Sequence, residues 1–301
     1  MKRRTFLELL GGAAAMTAGA SAASAQDAAQ GKPFHLKFGP HPGQLPTAPK
    51  GYLEQLLFAY DLGFRAWEDN GLGGQKPEMQ EKIGAFCKEK GIALGVMVVS
   101  SGQGAHFPAA TPEQIAGIEA DMRKGVEVAK RTGQTCMTMI PGIRKGDADL
   151  EKQIEQSADL LKRCCDIVEE SGIILVQEPL SHGVKGGAPL LRSFQDGFLL
   201  CEKVNRKSCK ILTDFFHEGQ IGNDLLPSAG KVWSQAGYVQ FGDVPGRKEP
   251  GTGKLDFKAV TRWLQAKGYT GIIGMEHGTS AQGREGLDKL LAAYRAVDIE
   301  G

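Results

Sequence analysis

The sequence predicts a single (β/α)₈ TIM barrel. Three observations carry that prediction: short apolar runs alternate eight times with longer amphipathic ones, the length suits one such barrel, and oxygen-bearing side chains finish consecutive predicted strands. The strands fall at 35–40, 63–68, 92–99, 135–140, 173–178, 209–214, 236–241 and 271–276. Between them apolar residues recur three and four positions apart, as from Pro112 to Thr132 and from Asp149 to Glu170, which is the helical period. Gly91, Gly172 and Gly271 stand just ahead of strands, where a preceding helix needs a residue able to turn left-handed. Eight such units with right-handed crossovers close most simply into a barrel. A doubly wound dinucleotide-binding sheet is disfavoured, because no glycine-rich fingerprint follows the first strand. Gly102, Gly104 and the 183–187 region read as loop glycines, and neither a repeat nor a second-domain linker interrupts the pattern.

The N-terminus reads as an export signal. Lys2-Arg3-Arg4-Thr5-Phe6-Leu7 is a basic segment, Leu9 to Ala20 is apolar and rich in Gly and Ala, and Ala23-Ser24-Ala25 offers small residues for cleavage. A buried core helix would instead alternate apolar with polar residues. The arginine pair points to the twin-arginine route and hence to the periplasm. The expected organisation is a signal peptide over 1–25, a short linker over 26–34 and a barrel catalytic domain over 35–301.

Charge narrows the partners. With 36 basic and 35 acidic side chains, a formal net charge of +1 and no block of one sign, nothing draws in a phosphate backbone or an anionic lipid surface. The expected partner is a small molecule, with no nucleic acid and no membrane after signal cleavage, and a homo-oligomer stays open. The six cysteines, at 87, 136, 164, 165, 201 and 209, show no metal-binding or redox spacing and read as structural. Cys164 and Cys165 are neighbours on one predicted helix, point different ways and are not expected to bridge each other.

The chemistry concentrates at strand ends. Glu178, Asp214, Gln240 and Glu276 finish the fifth to eighth strands, spaced by about one βα unit of roughly 30 residues. In a barrel the carboxyl ends of the strands face the active site, so these four would form one ring of hard oxygen donors. Such a ring suits Mg²⁺ or Mn²⁺, with Co²⁺ as a substitute, and lacks the thiolates of structural zinc. Taken singly, each residue is more readily the N-cap of the next helix. Four on adjacent strands, after apolar runs that fix their direction, read as a site.

These residues also carry a resemblance. The run from Ala59 to Asn70, Glu178-Pro179-Leu180, Asp214-Phe215-Phe216-His217 and the segment from Gln240 to Gly253 resemble the hydroxypyruvate isomerase branch of the xylose isomerase-like barrels. That superfamily also contains ketose 3-epimerases, inosose dehydratases and endonuclease IV. The resemblance implies that Glu178, Asp214, Gln240 and Glu276 bind the metal, that Glu178 and Glu276 double as the acid/base pair, and that His217 and Arg247 bind substrate oxygens. Ketose 3-epimerases usually carry His where Gln240 stands, which favours the isomerase branch.

Further candidates lie beside these. His217 could cap the helix after Asp214, yet its place beside the ring favours substrate binding. Arg247 sits between Pro/Gly turns, in a loop that such residues hold in one shape. His182 is a candidate for the mouth and His41 a candidate for approaching the substrate. Glu68 is expected to steady a His or Arg near the site, and Trp67 to join the core. His277 should point away from the ring, with His35 and His106 at the surface or in loops. The expected activity is metal-dependent interconversion of aldose and ketose forms of a small hydroxycarbonyl or sugar compound through an enediolate. The alternatives are a ketose 3-epimerase or a keto-sugar epimerase/dehydratase of the same superfamily, or an exported sugar-binding barrel without catalysis. Phosphodiester cleavage in the manner of endonuclease IV would need a richer set of histidines than these six.

Overall fold

A computed structural model describes residues 31–100, 105–146 and 149–300. The expected signal peptide and the first half of the linker lie outside the described residues. The chain runs β1 (Lys37–Gly39), α1 (Tyr52–Asp61), β2 (Ala66–Trp67), α2 (Pro77–Lys90), β3 (Ala93–Leu94), β4 (Val98–Ser100), α3 (Pro112–Thr132), β5 (Cys136–Met139), α4 (Leu150–Val168) and β6 (Ile174–Gln177). It continues through α5 (Phe194–Val204), β7 (Cys209–Asp214), α6 (Phe215–Gln220), α7 (Leu225–Val232), β8 (Ala236–Gln240), α8 (Phe257–Ala266), β9 (Ile272–Gly274) and α9 (Gly283–Val297).

Seven strands form one sheet in the order β1-β9-β8-β7-β6-β5-β4, β2 pairs with β3, and every ladder is parallel. Backbone bonds knit the two pieces into a barrel: Glu68 N donates to the Pro40 carbonyl, Val98 N to Asn70 and Thr138 N to Met97. Each of the eight expected strands is present. The one expected over 92–99 divides into β3 and β4 around Gly95, where a β-carbon would collide with the Tyr238 hydroxyl inside the barrel. Helix ends follow their local chemistry. Thr111 and Gln114 form a reciprocal capping box at the start of α3, and Gly91, Gly133 and Gly172 take left-handed φ values of 66°, 82° and 68°. At α8 the left-handed residue is Gly268, with φ 70°, and not Gly271, because the helix stops earlier than its apolar pattern suggests.

Alternation along the strands decides which side chains meet. Val96, Val176, Leu212 and Tyr238 form a small buried cluster inside the barrel, with Cys136, Ile174 and Ile272 packed against it. Leu175, Ile211, Val239 and Ile273 point outward and join the larger core with helix residues such as Leu161, Leu200, Val260 and Leu290. Each such aliphatic side chain contributes roughly 1.5–3 kcal/mol on burial. The side-chain period is two, so these neighbours direct Glu178, Asp214, Gln240 and Glu276 inward above the apolar plug. Among the described residues no helix is long and apolar enough to cross a membrane, and all six cysteines are free.

Candidate active site

The ladders set the level of the site. Asp214 on β7 is in register with Gln240 on β8, and Gln240 with Gly274 on β9, two residues before Glu276. Glu178 follows β6 directly, its amide donating to the Met139 carbonyl. Glu178, Asp214 and Gln240 are buried, while Glu276 is partly open to the barrel mouth. Oxygen atoms of Glu178 and Asp214 and a ring nitrogen of His217 all lie within 4.8 Å of one another. All four expected ring residues therefore stand at one rim.

Burial together with the Glu276 and Asp214 carboxylates pushes Glu178 well above the ordinary carboxylate range. Burial raises Asp214 to about 7 although Arg247 pulls the other way, and Glu276 is raised by the same opposition of burial and Arg247. Arg247 is the local counter-charge. Its Nη2 donates to Asp214 Oδ2 at 3.0 Å and to Glu276 Oε2 at 2.6 Å, its Nε donates to the Glu276 carbonyl at 3.0 Å, and its guanidinium lies over the Phe216 ring.

Arg247 adopts φ 48°, a left-handed conformation that costs a non-glycine residue roughly 1–2 kcal/mol. Its loop is fixed by two buried carboxylates. Asp243 accepts from Gly251 N, Gly253 N and Leu255 N at 2.8–3.0 Å, and Glu249 accepts from the Ser280 amide and hydroxyl. The Arg247 carbonyl also accepts from Gly278 N at 2.9 Å. These bonds supply the rigid loop expected from the Pro and Gly pattern.

His217 lies in the cluster, its Nε2 3.5 Å from Asp214 Oδ2 and 3.8 Å from Glu178 Oε1. Its tautomer follows from its other nitrogen. The Ser181 backbone N–H can only donate, and it points at Nδ1 from 3.2 Å. Burial, with Arg247 and His182 nearby, lowers the ring's pKa to about 2 and keeps it neutral. The single ring proton therefore sits on Nε2, which is buried without a partner and faces the carboxylates as a donor. The same ring nitrogen, with the Glu178 and Asp214 oxygens, forms a group that could hold a metal ion.

Three other histidines have defined places. His182 is exposed at the rim, its ring 5.1 Å from that of His217. His41 sits 2.8 Å from Glu68, so Glu68 does steady a histidine. His277 turns away and packs on Tyr294, with Nε2 2.6 Å from its hydroxyl. Trp67 is core.

Sequence reasoning missed Asn70, whose Nδ2 donates to Glu276 Oε1 at 2.9 Å, and also Ser181, Tyr238, Asp243 and Glu249. Asn70 was within reach of the two-residue alternation from Ala66 and Glu68. The loop carboxylates gave no such signal, since their partners are backbone amides.

A divalent cation fits this donor set. The Oε1 atom of Gln240 is buried with no hydrogen-bond partner, beside carboxylates that one counter-charge does not neutralise. Glu178, Asp214, Gln240 and Glu276 offer hard oxygens only.

The sequence profile of the xylose isomerase-like TIM barrels matches residues 56–297, and the chain belongs to that family. A human protein provisionally named hydroxypyruvate isomerase is 24% identical over 221 residues, covering 71% of this chain and 80% of its own length. The 2-oxo-tetronate isomerase of Pectobacterium atrosepticum is 24% identical over 178 residues, covering 59% of this chain and 68% of that protein. Among solved structures, D-psicose 3-epimerase from Clostridium cellulolyticum H10 superposes with a TM-score of 0.72 at 18% identity, over 87% of this chain and 98% of that one. This last likeness is one of fold.

Asp243→Ala leaves three amides without their acceptor and should lower stability by at least about 2 kcal/mol, since bonds to a charged acceptor contribute roughly 1.5–3 kcal/mol each. Thermal unfolding checks this; an unchanged midpoint would show that the loop holds without Asp243.

Proposed function

We propose that this chain is a metal-dependent isomerase of small hydroxycarbonyl compounds, moving a proton between adjacent carbons. The observation that carries the reading is the convergence of Glu178 and Glu276 at one rim with Nε2 of His217 and the guanidinium of Arg247. The names of the relatives, hydroxypyruvate isomerase and 2-oxo-tetronate isomerase, support it at the level of reaction class.

Glu178, Asp214, Gln240 and Glu276 would hold Mg²⁺, Mn²⁺ or Co²⁺, which when bound supplies Lewis-acid stabilisation of negative charge on the substrate oxygens. The remaining work belongs to the chain. His217 Nε2–H and Arg247 bind and orient substrate oxygens. One glutamate takes the proton from the carbon bearing hydroxyl, the C–H electron pair forms the enediolate double bond, and the carbonyl π pair moves to oxygen. Return of the proton to the neighbouring carbon completes isomerisation as the hydroxyl proton passes from its oxygen to the former carbonyl oxygen and the new C=O forms; return to the same carbon from the other face would give epimerisation. Glu178 and Glu276 come from strands separated by two others, so they can act from different sides of one substrate.

We also propose that the protein is exported to the periplasm by the twin-arginine route, on the strength of Arg3, Arg4 and the small residues ending at Ala25. Arg3→Lys combined with Arg4→Lys should retain the precursor inside the cell, as read by fractionation and immunoblotting; normal export would refute the route.

Two measurements test the chemistry. Glu178→Gln and Glu276→Gln keep an oxygen donor but cannot take a proton, so turnover of hydroxypyruvate or a 2-oxo-tetronate at saturating Mn²⁺ should fall at least ~10²-fold. Asp214→Asn should instead recover part of its activity as Mn²⁺ is raised. Near-normal turnover in both metal-loaded Gln variants would reject the two-glutamate scheme. The second measurement is the pH dependence of Mn²⁺ binding to chelator-stripped protein by calorimetry. A metal binds the deprotonated carboxylate, Asp214 is raised to about 7 and Glu178 and Glu276 are raised as well, so affinity should strengthen as pH rises through about 7 and weaken as pH falls below it. Affinity unchanged down to pH 5 would contradict the assignment.

A further inference from the structure

Beneath the carboxylate ring lies a second, wholly enclosed carboxylate that the scheme above does not use. Glu68 follows β2 and is 0% exposed, its side chain lying across the barrel interior. Two donors from β8 and a histidine that follows β1 converge on it. Tyr238 Oη donates to Oε2 at 2.6 Å, Gln240 Nε2 donates to Oε1 at 2.7 Å, and His41 Nε2 stands 2.8 Å from Oε1. The barrel wall is cut away to admit it. A β-carbon at Gly274 would fall on the Glu68 carboxylate, and one at Gly95 would meet the Tyr238 hydroxyl and approach the Glu68 Cβ at 3.3 Å. Glycine at or beside a strand often marks a place where another group comes close, and here two of them, at the break between β3 and β4 and at the end of β9, leave room for one buried acid.

The consequence concerns the one neutral member of the ring. A glutamine amide has two ends of similar shape and opposite chemistry, and only its oxygen can ligate a cation. Glu68 offers acceptors only, so the end of Gln240 that meets it must be the NH₂. The carbonyl Oε1 is then turned away from Glu68, and it is this atom that is buried with no hydrogen-bond partner. We infer that Glu68 is a positioning residue that fixes the amide of Gln240 with its oxygen toward the metal, and so sets the affinity of the site without touching the ion. The inference rests on the metal reading given above. Its physical basis is general: groups behind the direct ligands select their orientation, and removing such a partner typically costs 10–100-fold in metal affinity.

The test is a double-mutant cycle read as Mn²⁺ affinity by calorimetry on chelator-stripped protein. Glu68→Gln keeps the shape but can both donate and accept, so Gln240 loses its imposed orientation and affinity should fall about tenfold. Gln240→Glu removes the need for orientation, because a carboxylate presents oxygen at either end, and it also places like charges face to face. Adding Glu68→Gln to Gln240→Glu should therefore leave affinity unchanged or raise it. A merely structural Glu68 would give the same loss in both backgrounds, and that result would overturn the inference. Tyr238→Phe removes a different donor to Glu68 and keeps the Gln240 bond; it should lower the unfolding temperature while leaving Mn²⁺ affinity within about twofold. A comparable loss of affinity in Tyr238→Phe would likewise count against orientation as the mechanism. If wild-type protein takes up no Mn²⁺, the metal reading fails and this inference falls with it, whereas equal losses across the cycle reject the inference alone.

Discussion

The site is organised by the repulsion among carboxylates that the barrel forces together. Glu178 and Asp214 bring oxygen atoms within 4.8 Å in a buried rim, and a pair of unit charges at that distance costs roughly 3–4 kcal/mol at an effective dielectric of about 20. Glu276 adds a third charge to the same rim. The fold answers with Arg247, which reaches both Asp214 and Glu276, and with raised pKa values for all three acids. The loop from Asp243 to Leu255 follows from this constraint, since its buried acids and backbone bonds exist to hold one guanidinium in a strained conformation.

Beneath the rim the barrel is asymmetric in polarity. Toward β6 and β7 the interior is filled by Val176 and Leu212, ordinary apolar packing that fixes the direction of the residues two positions later. Toward β1, β2 and β8 it holds Glu68, His41 and the Tyr238 hydroxyl, a polar layer admitted by Gly95 and Gly274. The barrel thus supports its mouth in two ways: apolar alternation aims the carboxylates, and a hydrogen-bonded acid orients the single amide.

The strands and the ring were legible in the sequence because both depend on the two-residue period. An inward Leu212 makes Asp214 inward, and an inward Tyr238 does the same for Gln240. What the sequence hid depends on contacts between distant elements. Asn70 and Glu276 meet across the mouth from opposite ends of the chain. The tautomer of His217 is set by the Ser181 amide, a backbone group that no side-chain pattern encodes. The break between β3 and β4 was hidden for the same reason, since the space at Gly95 is claimed by Tyr238 from a strand far along the chain. Gly271 looked like a helix terminator because it precedes a strand, while Gly268 has the left-handed backbone.

The central claim is that the rim at Glu178, Asp214, Gln240 and Glu276 is a cation site, and metal stoichiometry tests it most directly. Protein purified without chelator, or stripped and reloaded with Mn²⁺ and then passed through gel filtration, should retain one divalent ion per chain by elemental analysis. Glu178→Ala combined with Asp214→Ala should retain none. Retention of no ion by correctly folded wild-type protein, or equal retention by the double variant, would contradict the account.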